Sequence, residues 1–192
     1  MSTYAGLAIV STVAAALSIV TGSISAALWK QRPPVAKRAQ PLNGLTPVKA
    51  LDLARYAGLW HEQRRLDSWF EKDLNFVTAV YEPLDSGFVA VTNTGVRRSG
   101  ASVVSRGLAR RTAVTGYLLV SFFPLVEGAY VVLYLDPTTS VVGSPDRKYL
   151  WLLTRNVAVT AEQVSILNQI ALENGYTPAQ LHSMTIVQQE RQ

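Results

Sequence analysis

The sequence predicts an all-β domain, an antiparallel sandwich or barrel, with one α-helix packed outside it. Three observations carry this expectation. Eight short runs rich in Val, Tyr, Phe, Leu and Thr follow one another from Leu51 onward. Turn signals separate them: Asp85-Ser86-Gly87, Arg98-Ser99-Gly100, Thr115-Gly116, Glu127-Gly128, Asp136-Pro137 and Ser144-Pro145-Asp146. Short strands at this spacing indicate antiparallel pairing and not βαβ units. A single helical signature follows the last run.

The expected strands are 59–66, 76–81, 88–93, 102–110, 117–123, 130–135, 140–142 and 149–154. Successive side chains of a strand point to opposite faces. Val77, Ala79 and Tyr81 therefore share a face, as do Leu118, Val120 and Phe122, and also Tyr149, Trp151, Leu153 and Arg155. The opposite faces are not polar, because Leu119, Phe123, Leu150 and Leu152 lie on them. A sheet that is apolar on both faces needs a cover, and the helix supplies one. Thr160-Ala161-Glu162-Gln163 forms a capping box at its start. Val164, Leu167, Ile170 and Ala171 line one helical face, and Gly175 supplies the stop. A strand-like run at 184–187 and a polar tail follow.

Trp60, just after Gly58, opens the first strand, and Arg155 ends the eighth. A barrel pairs its first strand with its last, which brings these two side chains to one end. A guanidinium stacked on an indole is worth about 0.5–2 kcal/mol.

The N-terminal part has a different texture. Residues 2–29 carry no charge, and 7–28 are rich in Ala, Val, Ile and Leu. At ~1.5 Å per residue that stretch is long enough to span a ~30 Å hydrocarbon layer. It reads as a signal peptide cleaved near Ser25 or Ala27, or as a retained membrane anchor. The absence of Lys or Arg before the run argues for the anchor. Residues 30–47 hold four prolines and four basic residues and read as an extended linker. The remaining 48–192 form the domain.

Composition narrows the function. Of 192 residues, 48% are apolar, which is enough for a sizeable core. There is no cysteine, so disulfides, thiolate metal sites and cysteine nucleophiles are excluded. The net charge of +5 is concentrated at Lys30, Arg32, Lys37 and Arg38, beside the uncharged run. That placement suits a membrane flank and not a nucleic-acid groove. His61 and Glu62 are adjacent on a strand and point to opposite faces, so they do not form an acid–base pair. Two histidines at this separation do not make a metal site. No phosphate loop, nucleophile elbow or dinucleotide fingerprint is present. No catalytic residue, metal or cofactor is expected. The Arg97-Arg98 and Arg110-Arg111 pairs sit near strand ends and read as solvated.

A family resemblance rests on several of these segments. Tyr56-Ala57-Gly58-Leu59-Trp60-His61-Glu62 with Arg65, then Phe70-Glu71, then Val77-Thr78-Ala79-Val80-Tyr81, resembles the opening of a lipocalin. Val91-Thr92-Asn93-Thr94-Gly95 and Val120-Ser121-Phe122-Phe123 continue it. Pro145-Asp146-Arg147-Lys148-Tyr149-Leu150-Trp151-Leu152-Leu153-Thr154-Arg155 is similar to a segment of the bacterial, apolipoprotein D-like lipocalins. The resemblance runs from about Leu51 to Gln189. His61 and Gln63 depart from the usual pattern.

The resemblance implies an eight-stranded up-and-down barrel with the helix outside, and a pocket for a fatty acid or lysophospholipid. The alternative function is a lipocalin-fold enzyme acting on a lipophilic substrate. The expected lipid-facing residues are Val77, Ala79, Val89, Val91, Leu118, Val120, Phe122, Val131, Leu133, Trp151 and Leu153. Glu62, Arg64, Tyr81 and Asn93 are the expected inward polar groups, serving a head group or one another. Gly58, Trp60 and Arg155 are expected to close the barrel floor. The bacterial relatives carry an acyl anchor on a cysteine, which this chain lacks, so the N-terminal segment would provide attachment. The basic residues after that segment favour a cytoplasmic domain, whereas the resemblance favours the periplasm or cell envelope. A monomer or weak dimer, with no nucleic-acid partner, completes the expectation.

Overall fold

The computed structural model describes residues 39–123 and 126–188. The elements in order are α1 (Leu53–Tyr56), β1 (Gly58–Arg65), β2 (Leu74–Pro83), β3 (Val89–Arg97), β4 (Ser102–Arg111), β5 (Tyr117–Phe123), β6 (Val126–Leu135), β7 (Thr139–Gly143), β8 (Leu150–Thr154), α2 (Ala161–Glu173), α3 (Pro178–His182) and β9 (Thr185–Ile186). Each of β1 to β8 pairs antiparallel with the next, and β8 returns to β1. The result is a closed eight-stranded barrel with α2 packed outside. The short β9 joins β1 at Arg64 and Arg65, where β1 is no longer paired with β2.

The β2–β3 hairpin is longer than the apolar alternation suggested. It runs from the Pro83–Val89 pair to the Leu74–Arg97 pair, across an irregularity between Asn75 and Thr78. Backbone pairing continues there through residues that do not keep the apolar alternation, such as Asn75, Thr94 and Arg97. Two short helices carry signals of their own. The carboxylate of Asp52 accepts from the Ala54 and Arg55 N–H groups at the start of α1. Thr177 and Gln180 form a capping box around Pro178 at the start of α3.

Helix α2 has the capping box of Thr160 and Gln163, and it buries Leu167 and Ala171 fully. Val164 and Ile170 pack at the margin of the same cluster. Leu150 and Leu152 of β8 and Val141 of β7 meet this helix from the barrel's outer surface. A second cluster fills the barrel itself, including Trp60, Ala79, Val89, Leu118, Val132 and Leu153. The two clusters explain why several strands are apolar on both faces. Residues 39–47 lie against the barrel, with Leu45 buried in the outer cluster.

Two expected orientations are corrected. Val131 and Leu133 belong to the outer cluster and do not face the lumen. Both faces of β6 are apolar, so hydropathy does not distinguish them. The cross-strand partner of inward Leu118 is Tyr130, which sends Tyr130 and Val132 inward. A bulge between Val132 and Tyr134 then brings Leu135 back to the inner cluster. Arg64 is also corrected. A bulge between Glu62 and Arg64 shifts β1 by one residue, so that Arg65, opposite Trp151, faces inward. Arg64 instead lines an outer depression with Asn168, Leu172, Pro178, Leu181 and His182.

The expected signal or anchor, and residues 30–38 of the expected linker, lie outside the described residues. No helix among the described residues is long and apolar enough to cross a membrane.

Candidate functional site

The barrel interior has three levels, and their differences define the site. The first is the closed end. Helix α1 crosses it, and the indole N–H of Trp60 donates to the Tyr56 carbonyl at 2.8 Å. The Arg155 guanidinium lies 3.8 Å from the centre of the Trp60 ring. Its Nη1 donates to the Leu59 carbonyl at 2.7 Å, and its Nη2 reaches those of Arg55 at 2.8 Å, Ala57 at 2.9 Å and Tyr56 at 3.3 Å. Gly58 has a φ of 91°, and a Cβ there would lie 3.5 Å from Arg155 Nη1. Position 58 therefore needs glycine for its backbone, and the strap needs Arg155 for its carbonyls.

The second level is a set of tyrosines. Tyr130 on β6 shares hydrogen bonds with Tyr56 on α1 at 2.6 Å and with Tyr81 on β2 at 2.8 Å. Strands β2 and β6 stand opposite each other in an eight-stranded ring, so the Tyr81–Tyr130 contact crosses the lumen. Burial raises the pKa of all three phenols, and all three stay neutral.

The third level is the cup above them. Along each of five strands a buried inward residue is followed, one step nearer the mouth, by a more accessible one. The step lies between Val91 and Asn93, Gly107 and Ser105, Leu118 and Val120, Val132 and Tyr130, and Leu153 and Trp151. Val120, Phe122 and Trp151 thus face inward yet keep contact with solvent. Gly107 is the close-approach point of this wall, because a Cβ would sit 2.5 Å from the Ser121 carbonyl oxygen and 2.8 Å from the Phe122 ring.

The β1–β2 side of the cup is filled by a charged cluster. Arg65 is 1% exposed. Its guanidinium donates to Glu62 Oε1 at 2.7 Å and to the backbone carbonyls of Glu71 at 2.7 Å and Leu74 at 2.8 Å. Glu71 Oε2 accepts from the Ser68 hydroxyl at 2.8 Å and the Trp151 indole at 3.3 Å. The Glu62 carboxylate is therefore paired with this buried guanidinium, and the Glu71 carboxylate lies near enough for its charge to act on Glu62. Desolvation, and then repulsion from Glu71, push the Glu62 pKa up to about 8. Burial raises that of Glu71 as well.

Of the expected site residues, Val77, Ala79, Val89, Val91, Leu118, Val120, Phe122, Trp151 and Leu153 face inward. Only Val120, Phe122 and Trp151 among them line the accessible cup. Glu62 and Tyr81 face inward but are bonded within the protein. Asn93 lies in the wall, and its Oδ1 is buried with no hydrogen-bond partner. Arg65, Glu71, Tyr56 and Tyr130 were not foreseen as site residues. Alternation through Tyr130 and Val132 is a usable signal for Tyr130. Nothing periodic marks Glu71, which sits in a loop, and the bulge that turns Arg65 inward leaves no trace in residue spacing. No cluster of three His, Asp or Glu able to hold a metal exists among the described residues.

Comparison with known proteins agrees with this geometry. The family described as "Lipocalin-like domain" matches residues 51–185. The outer membrane lipoprotein Blc of Escherichia coli (strain K12) is 36% identical over 141 residues, covering 71% of this chain and 80% of that protein. Temperature-induced lipocalin-1 of Arabidopsis thaliana is 30% identical over 147 residues, covering 70% and 79%. Among solved structures, insecticyanin from the tobacco hornworm Manduca sexta aligns with a TM-score of 0.59 at 19% identity, covering 74% of this chain and 83% of that one. Lobster apocrustacyanin A1 gives the same TM-score at 13% identity, covering 78% and 93%. These two share the fold. With the closed barrel, the outer helix and the strapped floor, the match establishes that this chain belongs to the lipocalin family.

Proposed function

We propose that this lipocalin holds a single-chain lipid, a fatty acid or lysophospholipid, in the upper half of its barrel and serves the cell envelope. The supporting observation is the wall of Val120, Phe122 and Trp151, which is apolar and inward yet only partly buried. Soluble proteins seldom leave such surface open without a use. Burial of each methylene there contributes about 0.8 kcal/mol before ordering and association costs, which leads to roughly micromolar affinity. The mouth favours the lysophospholipid. A fatty acid carboxylate would meet Glu62 and Glu71 and a guanidinium already bonded to protein. A lysophospholipid head group remains in water while its chain enters.

The kinship with proteins named outer membrane lipoproteins supports an envelope location. The uncharged N-terminal run is the proposed tether. Intact mass of the mature protein and protease access in spheroplasts test it, and a product beginning near Ala26 removes the tether.

The lipid reading is tested by native mass spectrometry of the purified protein with extraction of copurified lipid. Val120→Glu should abolish lipid binding while β-sheet circular dichroism persists. If the folded variant binds lysophospholipid with unchanged affinity, the cup is not the site.

A further inference from the structure

The tyrosine bridge has a hydrogen-bond inventory that does not balance. Tyr56, Tyr81 and Tyr130 bring three phenolic protons to two mutual contacts. Three hydroxyl protons then serve two contacts, and one donor is left over. The phenols are neutral, so that donor persists across the physiological range. An unused acceptor lies nearby. Tyr81 pairs with Val91, and Asn93 is two residues further along the same face of β3. Such diagonal neighbours stand about 7–8 Å apart. The Asn93 Oδ1 is buried and bonded to nothing. A spare donor and a spare acceptor thus flank the bottom of the cup, where an inserted chain would end. Buried polar atoms without partners are uncommon and call for a ligand or a water. A bare methyl terminus would leave both unsatisfied. A hydroxyl would satisfy both, since it accepts one hydrogen bond and donates another.

We infer that the tyrosine bridge and Asn93 form a specificity subsite for an uncharged alcohol at the inserted end of the ligand. The preferred class is a long-chain lipid bearing a hydroxyl at the end remote from its head group. This inference rests on the reading of the cup as a lipid site. It divides the labour of the lumen: the wall of Val120, Phe122 and Trp151 holds hydrocarbon, and the floor selects what terminates it.

The test uses the purified full chain and two probes with identical head groups, palmitic acid and its ω-hydroxy derivative. Trp151 lies in the wall, so quenching of tryptophan emission reports occupancy, with displacement of a fluorescent fatty acid as a second readout. The ω-hydroxy acid should bind roughly fivefold or more tightly, the worth of about one net hydrogen bond. Asn93→Leu and Tyr81→Phe should each bring the ratio close to one. Asn93→Leu should bind palmitic acid at least as well as the native chain, which separates a subsite from simple loss of structure. Equal binding of the two acids by the native protein, as when an ordered water already fills the subsite, overturns the inference and leaves the lipid reading standing. A preference that survives both substitutions overturns it as well. If neither acid nor a palmitoyl lysophospholipid binds, the lipid reading falls and takes this inference with it.

Discussion

Each end of this barrel is organised by one arginine, and the two arginines are held in opposite ways. Arg155 at the closed end is partly accessible and bonds only to neutral carbonyls of α1 and β1, with the Trp60 ring beneath it. Arg65 at the mouth is fully buried and bonds to the Glu62 carboxylate, with a second buried carboxylate, Glu71, nearby. The first arrangement contains no partner that titrates near neutrality. The second contains Glu62, with a pKa of about 8, beside Glu71. The difference teaches that the closed end is a fixed clamp, whereas the mouth carries a charge balance that pH can alter.

The largest expected effects come from breaking either end at its most buried point. Trp60→Ala should destabilise by about 3–5 kcal/mol, the range for a large buried aromatic. Arg65→Met should also destabilise, because it leaves buried Glu62 and the carbonyls of Glu71 and Leu74 without their donor. Urea denaturation midpoints measure both. If Arg65→Met is neutral, the guanidinium contributes no net stability to the mouth.

Arg155→Met is expected to cost less, roughly 1–3 kcal/mol, since water can reach the carbonyls that it leaves. A double-mutant cycle with Trp60→Leu should show coupling of about 0.5–1 kcal/mol from the stacked pair. Additive effects would mean that Arg155 acts through the carbonyls alone.

The pH dependence is the smallest effect and separates the two ends most cleanly. A folded-state pKa raised above its unfolded value means that the folded chain holds the proton more tightly. The stability contributed by Glu62 is complete below its ordinary value near 4.5 and is lost as the pH climbs through about 8. The native chain should therefore lose stability progressively between about pH 5.5 and pH 9. His61, whose pKa burial lowers, acts in the opposite sense near neutrality. Glu62→Gln keeps His61, so the slope attributable to the mouth is the difference between that variant and the native chain. Identical slopes in the two proteins would remove Glu62 as the titrating group. Arg155→Met should leave the slope unchanged.

Much of the architecture was legible in the residues. The alternation of Leu118, Val120 and Phe122 located an inward face. The capping box at Thr160 fixed the start of α2 at the residue where it begins. Trp60 and Arg155 were placed at one end by strand order, and they stack there at 3.8 Å. The site was less legible than the fold. Val131 and Leu133 could not be oriented, because β6 offers an apolar residue to either side. Arg64 and Arg65 exchange places through one extra residue in β1, and a bulge changes no residue type. Glu71 enters the cluster from a loop, where neither period applies.

Taken by itself, the sequence determined the number of strands, the outer helix, the closed-end pair and the absence of cysteine chemistry. These depend on local periodicity, capping and composition, which each segment carries within itself. Only the tertiary structure decided that Arg65 turns inward to pair with Glu62 beside Glu71, and that Tyr81 and Tyr130 meet across the lumen. Those facts join residues 49 or more positions apart, or hang on a one-residue shift in pairing. They are properties of strand register and barrel closure, and no local segment encodes which of its neighbours it will face once the sheet has closed.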